Sequence, residues 1–351
     1  MRVAVPVLVL AMICAGCGTI TVPDAADEFK TSTGEFSKGL KSIGGNLKAA
    51  NNAEAHALAL QSYAPNEPIF YSTACAGAAD QAQRAFNQTA VGVYDGAKAD
   101  AAYTQFASLP LCDLTKSFDT PATVDPVVRP DQKSTIDGSG SFGEKTLNGT
   151  ADKLDAYVKS LIDVITNKTG AKADTARNDA VGAFAALAQA IGADNGSAYG
   201  GVIQQAIASA QASARNKRVG EMLATFDSQM PTAMERIGYA GRVSNAQAIV
   251  ARANAAAALA KRANVLMAQA APGTSQLQTY AVVEPELTVQ NDALRSLRGA
   301  DPMVAAQAFA AAHRKLIEAY RAPKADQAAG AAAAKAFSDA AQKLSDALSK
   351  D

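Results

Sequence analysis

The chain has no tryptophan, only two histidines and four cysteines, and aromatic residues make up 6% of its 351 positions. Its 33 basic side chains are balanced by 33 acidic ones. Each shortage excludes something. Few large rings mean that a core dominated by aromatics cannot run the length of the molecule. Zero formal net charge leaves no global field to draw nucleic acid, so a general nucleic-acid binder is excluded. The histidines, His56 and His313, sit badly for metal: bundles that ligate metal use Glu-x-x-His, but Glu54 precedes His56 by two residues and Glu318 follows His313 by five. No Gly-x-Ser-x-Gly elbow occurs. The chain is therefore expected to be non-enzymatic and to hold no metal or cofactor. Beyond the first residues, no apolar run is long enough to cross a bilayer, since Arg252, Lys261, Arg262 and Lys335 interrupt the alanine-rich stretches.

What is abundant is alanine. It is the best helix former, and its single methyl lets helix backbones approach closely. The fold expected is all-α, an Ala-rich antiparallel bundle of long helices.

Arg2 precedes an apolar run, Val3 to Ile13, and then Cys14-Ala15-Gly16-Cys17. A charged start, a short apolar core and small residues form a secretory signal pattern. About eleven apolar residues would make a helix of roughly 16 Å, half of a bilayer core, so the segment is a processed signal and not a permanent span. The ending Ala15-Gly16-Cys17 resembles the bacterial lipobox, although Cys14 stands where a larger aliphatic residue or alanine is usual. The resemblance, confined to about the first twenty residues, implies diacylglycerol on Cys17 and cleavage that makes Cys17 the first residue. An ordinary cleaved signal leaving a free Cys17 is the plainer alternative. Gly18 is not the Asp that retains many such lipoproteins at the inner membrane, which implies an outer-membrane anchor facing the periplasm. Cys75 and Cys112 would then be the only unmodified thiols, and an oxidising compartment favours a disulfide between them over two buried thiols.

The pattern divides into a signal (1–16), a lipidated cysteine and tether (17–27), an N-terminal helical segment (28–118), a Pro/Gly-rich linker or loop (119–143) and a helical bundle domain (144–351). Phe29, Phe36, Leu40, Ile43 and Leu47 recur at helical spacing as far as Pro65. Leu154, Val158, Leu161 and Ile165 mark a second helix; Val181, Phe184, Leu187 and Ile191 mark a third. One helix is expected from Ser197 to Phe226 and the next from Pro231 to Ala271. The latter carries a seam of Ile249, Ala253, Ala256, Ala260, Ala263 and Met267. Asp301-Pro302 reads as an N-cap with proline in the first turn, and Phe337, Ala341, Leu344 and Leu348 mark the last helix. No element is assigned to the stretch between 271 and 300.

The loop Gly138-Ser139-Gly140-Ser141-Phe142-Gly143 spells Gly-x-Gly-x-x-Gly, but no buried strand feeds it and Lys145 is one residue late for a phosphate-binding loop. It reads as a flexible approach to a helix. Arg215, Lys217, Arg218, Arg236, Arg242, Arg252, Lys261 and Arg262 form a local basic excess, expected to be a solvated helix face. Both histidines fall on apolar faces and are expected in the core. Exported helical proteins of the imelysin type share the general character, but their Gly-x-His-x-x-Glu motif is absent. The function expected is a lipid-anchored cell-envelope scaffold that holds an envelope protein partner. The rival is a helical lipoprotein binding a small apolar ligand, lipid or peptide, with Phe29, Tyr63, Phe86 and Tyr94 lining the pocket or simply filling the core.

Overall fold

The computed structural model describes residues 22–62, 70–71, 125–126, 144–167, 169–191, 198–269, 275–321 and 327–349, with positions 101 and 104. Cys17, Cys75, Cys112, Tyr63, Phe86, Tyr94 and the 138–143 loop lie outside them. The described residues form an all-α bundle: α1 (Val22–Ser62), α2 (Glu144–Thr166), α3 (Gly170–Ala190), α4 (Ala198–Arg215), α5 (Val219–Gln269), α6 (Ser275–Gly299), α7 (Pro302–Arg321) and α8 (Gln327–Leu348). One small exception falls partly in the expected linker, where Asp125–Pro126 pairs antiparallel with Phe70–Tyr71.

The axis of the molecule is α5. From Val243 to Ala256 nearly every side chain is buried, because alanines on all sides let neighbours close in around the helix. The expected seam is there, Ile249, Ala253, Ala256, Ala260 and Ala263 being buried, but Met267 is half exposed. Helix α1 packs alongside α5 in the same direction, since Leu40 lies beside Gly241 and Glu54 beside Asn254. It shares one core with segments from Leu147 to Leu348. Helices α6 and α7 run back along α5, and two glycines set the α7 contact. A Cβ on Gly241 would lie 2.8 Å from the Pro302 ring, and one on Gly238 3.0 Å from the Met303 backbone. The α7 cap forms as expected, with Asp301 Oδ1 accepting from the Met303 N–H at 3.0 Å.

Helix α1 starts at Val22, inside the expected tether of 17–27, and two further differences from the sequence reading lie later in the chain. The break after α4 falls at 216–218, not before Pro231. Lys217 takes a left-handed conformation (φ 59°), and the Arg218 and Lys217 N–H groups donate to the carbonyls of Ser213 and Ala214, a Schellman closure. Pro231 then lies inside α5. Its ring removes the helical donor to the Asp227 carbonyl, and burial of Phe226, Met230, Ala233 and Met234 around it holds the helix together. The second difference is α6 itself, which the sequence reading left without a helix. Its buried positions, Val283, Gln290, Leu294 and Leu297, with the partly buried Leu287, do keep helical spacing, but Pro285 and the exposed Val282 and Val289 obscure the period.

Candidate functional site

The basic excess divides: Arg215, Lys217 and Arg218 are exposed as expected and Lys261 and Arg262 are half-buried, but three arginines of α5 are not on a solvated face. Arg236, Arg242 and Arg252 are each less than a tenth exposed. Arg236 donates to the Ile191 carbonyl, closing the end of α3 at 3.1 Å. Arg242 makes a two-pronged contact with Asp301, Nε to Oδ1 at 2.8 Å and Nη2 to Oδ2 at 2.7 Å. Arg252 donates to Gln290 Oε1 at 2.6 Å. Asn245 Nδ2 donates to the carbonyls of Leu297 and Ala300, and Asn254 Nδ2 to Glu54 Oε1 at 2.9 Å. These polar groups are internal fasteners between helices. Sequence alone shows the charges but not that α5 is surrounded.

The two histidines part company. His56 is exposed, contrary to the core expectation, and its Nδ1 lies 2.9 Å from Glu286 Oε1 on α6. His313, on α7, is fully buried as expected, in a shell of rings. Phe309 stacks near it at 6.2 Å, Phe29 lies 6.4 Å away, and Tyr157 5.9 Å. Its Nε2 is 2.7 Å from the Tyr157 hydroxyl, and its Nδ1 lies 3.5 Å from Asp227 Oδ1. With the tyrosine O–H donating to Nε2, the Nδ1 proton is on the Asp227 side, but neither Nδ1 nor Asp227 Oδ1 reaches a hydrogen-bond partner. Burial holds His313 below the ordinary histidine range, partly opposed by Asp227. Burial, and then the Asp227 charge, pushes Tyr157 well above its ordinary range. The line thus favours a neutral imidazole and a protonated phenol. Arg314 lies 3.6 Å from the other Asp227 oxygen.

Outside this line, Pro231 and Glu235 of α5 and Gln307, Ala310, Ala311 and Arg314 of α7 border an open groove of about 340 Å³. Arg314 belongs both to the groove and to the Asp227 contact; His313 has no exposure to it. A reactant in the groove would meet an arginine and a carboxylate, not the imidazole. Phe29, offered as a pocket-lining residue, packs on Phe309 at 4.8 Å and Phe337 at 5.6 Å, and so fills the core. No group of three histidine, cysteine or acidic side chains among the described residues is placed to hold a metal, and no described helix is long and apolar enough to cross a membrane.

A different surface stands out on α6. Val282 and Val289 are 66% and 58% exposed, and Leu277 is also solvent-facing. Searches with this chain match no family model, no curated protein and no solved structure.

Proposed function

We propose that the protein is a lipid-anchored, non-enzymatic scaffold of the cell envelope, tethered through Cys17 at the outer membrane and holding an envelope protein on an exposed helix face. The observation that supports this most is the filled interior. With α5 sheathed by alanines and the histidine line sealed in aromatics, the imidazole is out of reach and the chemistry available to a partner is that of surfaces. Helix α1 begins five residues after Cys17 and extends for 41 residues, roughly 60 Å, so the tether leads directly into a rigid rod. A Cys75–Cys112 disulfide belongs to the same reading, and peptide mapping without reductant tests it.

The test is complementation of a deletion strain, with intact mass to identify an acylated Cys17 terminus. Wild-type protein and the folded variants His56→Gln and Asp227→Asn should restore the phenotype, whereas Cys17→Ser should not. Failure of Asp227→Asn with its fold intact would overturn the non-enzymatic reading. Full restoration by Cys17→Ser would overturn the anchored one. A second reading, a binding protein for a small apolar molecule or peptide, draws on the groove between α5 and α7, whose lining includes Ala310 and Ala311; Ala311→Arg would block it and leave a scaffold unaffected.

A further inference from the structure

We infer that Asp227 is the shared acceptor of an acid-sensitive switch: when His313 takes up a proton, Asp227 closes on it and leaves Arg314 as an unpaired cation in the groove between α5 and α7. This goes beyond the scaffold reading and does not depend on it. One carboxylate stands between two groups at nearly equal reach. Its Oδ1 lies 3.5 Å from His313 Nδ1 and its Oδ2 lies 3.6 Å from Arg314 Nε, both longer than a good hydrogen bond. Oδ1 and Nδ1 are buried and neither has a partner. A buried donor and a buried acceptor that face each other across this distance are a bond left unmade. The turn that carries Asp227 has the freedom to make it, because Pro231 takes away the helical donor to the Asp227 carbonyl.

At neutral pH the imidazole is uncharged, and Asp227 serves one cation, Arg314. The charged groups that act on His313 are Asp227 from α5 and Arg314 from its own helix; α2 brings the Tyr157 hydroxyl, α1 the Phe29 ring, and α8 the Phe337 ring behind it. A proton taken up there finds a single counter-ion. It enters at Nε2, the Tyr157 hydroxyl rotates from donor to acceptor, and the Nδ1–H of the imidazolium closes on Oδ1. Two cations then compete for one carboxylate. His313 is fully buried and must be paired, whereas Arg314 is half exposed and takes water instead, so the buried cation wins. Burial opposes the charge, which sets the switch below the ordinary histidine value of about 6.5. The walls of the groove, Pro231, Ala310 and Ala311, stay in place while its arginine passes from paired to free.

The experiment is NMR on the full-length lipidated protein in detergent micelles, with 13C in the histidine rings and 15N in the arginine side chains. His56→Gln leaves His313 as the one ring signal, and Arg314→Lys identifies the Arg314 Nε–H. His313 should titrate below about pH 6.5 with the fold intact, and the order parameter of the Arg314 Nε–H should fall below about 0.6 at the same midpoint. Asp227→Asn should lower the proton affinity of His313 about tenfold and leave Arg314 mobile at every pH. Arg314→Gln should raise that affinity about threefold. In His313→Gln, Arg314 should stay ordered throughout. The inference is overturned if His313 remains neutral until the body unfolds, if Arg314 is indifferent to its titration, or if the step persists in His313→Gln. Should His313→Gln fail to fold, an unchanged His313 midpoint in Arg314→Gln overturns it equally. Complementation in neutral medium reads the scaffold separately: restoration by Asp227→Asn leaves that reading standing whatever the titrations show.

Discussion

The two ends of α5 are built by opposite means. Around its first half, rings meet rings: Phe184 and Phe226 lie 4.7 Å apart, Tyr157 touches both, and Phe29, Phe309 and Phe337 form a second knot around His313. Toward its far end the core is Ala57, Ala255, Ala258, Leu259, Ala263, Leu266 and Val283, drawn from α1, α5 and α6. Large rings fill space between several layers of helices, whereas alanines let three helices touch backbone to backbone. The first end should fail by losing volume and the second by gaining it.

The largest effect is expected where a ring is removed. Phe309→Ala should cost about 3–5 kcal/mol, because the hole it leaves is bounded by Phe29, Phe337 and His313 and cannot collapse; urea unfolding of the soluble body measures it. Arg252→Glu follows closely, at about 3 kcal/mol or more, since it would bury a carboxylate against the Gln290 carbonyl oxygen. Wild-type stability for that variant would mean that α6 is free to move off α5. Ala256→Leu, at a fully buried position, should overpack the core at about 1–3 kcal/mol, while the same exchange at exposed Ala311 should be nearly neutral.

Acid separates the ends more gently. Because burial lowers the His313 pKa, the unfolded chain binds a proton first as pH falls below about 6.5, so stability drops from there through the folded-state pKa. Asp155, half-buried on α2 and raised by that burial, acts in the opposite sense within the carboxylate range. The Tm of the wild type should therefore fall between pH 7 and 5, and His313→Gln, though less stable throughout, should show a flatter slope; equal slopes would show that His313 is not the group responsible. The smallest change is a gain: Lys217→Gly should stabilise by about 1 kcal/mol, since glycine takes φ 59° without the Cβ penalty. An unchanged Tm would show that Lys217 does more than turn the chain.

The contrast also explains what could be read from the sequence. Helices whose apolar residues keep one face, such as Leu154 to Ile165 or Phe337 to Leu348, declare themselves by spacing alone. The Asp301-Pro302 cap was equally legible because its chemistry is local. Helix α5 defeats the same method. A helix wrapped on all sides has no polar face, so the pattern that marks Arg242 and Arg252 as solvated rests on a surface that does not exist. His56 misleads in the reverse direction: the apolar residues around it cover α5, while His56 itself reaches out to Glu286. The Tyr157, His313 and Asp227 line joins three helices separated by up to 156 positions, and no local signal brings it into view.

The fasteners along α5 have one further consequence. Alanine following alanine gives a nearly featureless cylinder, and such a cylinder could shift by a whole turn, about 5.4 Å, against its neighbours with little loss of packing. Hydrophobic contact alone would leave several alignments close in energy. A shift of that size would draw Arg242 out of the fork of Asp301, part Asn245 from the Leu297 and Ala300 carbonyls, and strand Arg252 and Asn254 opposite apolar side chains. Each stranded group would stay dehydrated without a partner, at a cost of about 1–3 kcal/mol. The polar residues buried in this chain thus act as detents, admitting one axial setting of α1, α6 and α7 against a shaft that would otherwise slide.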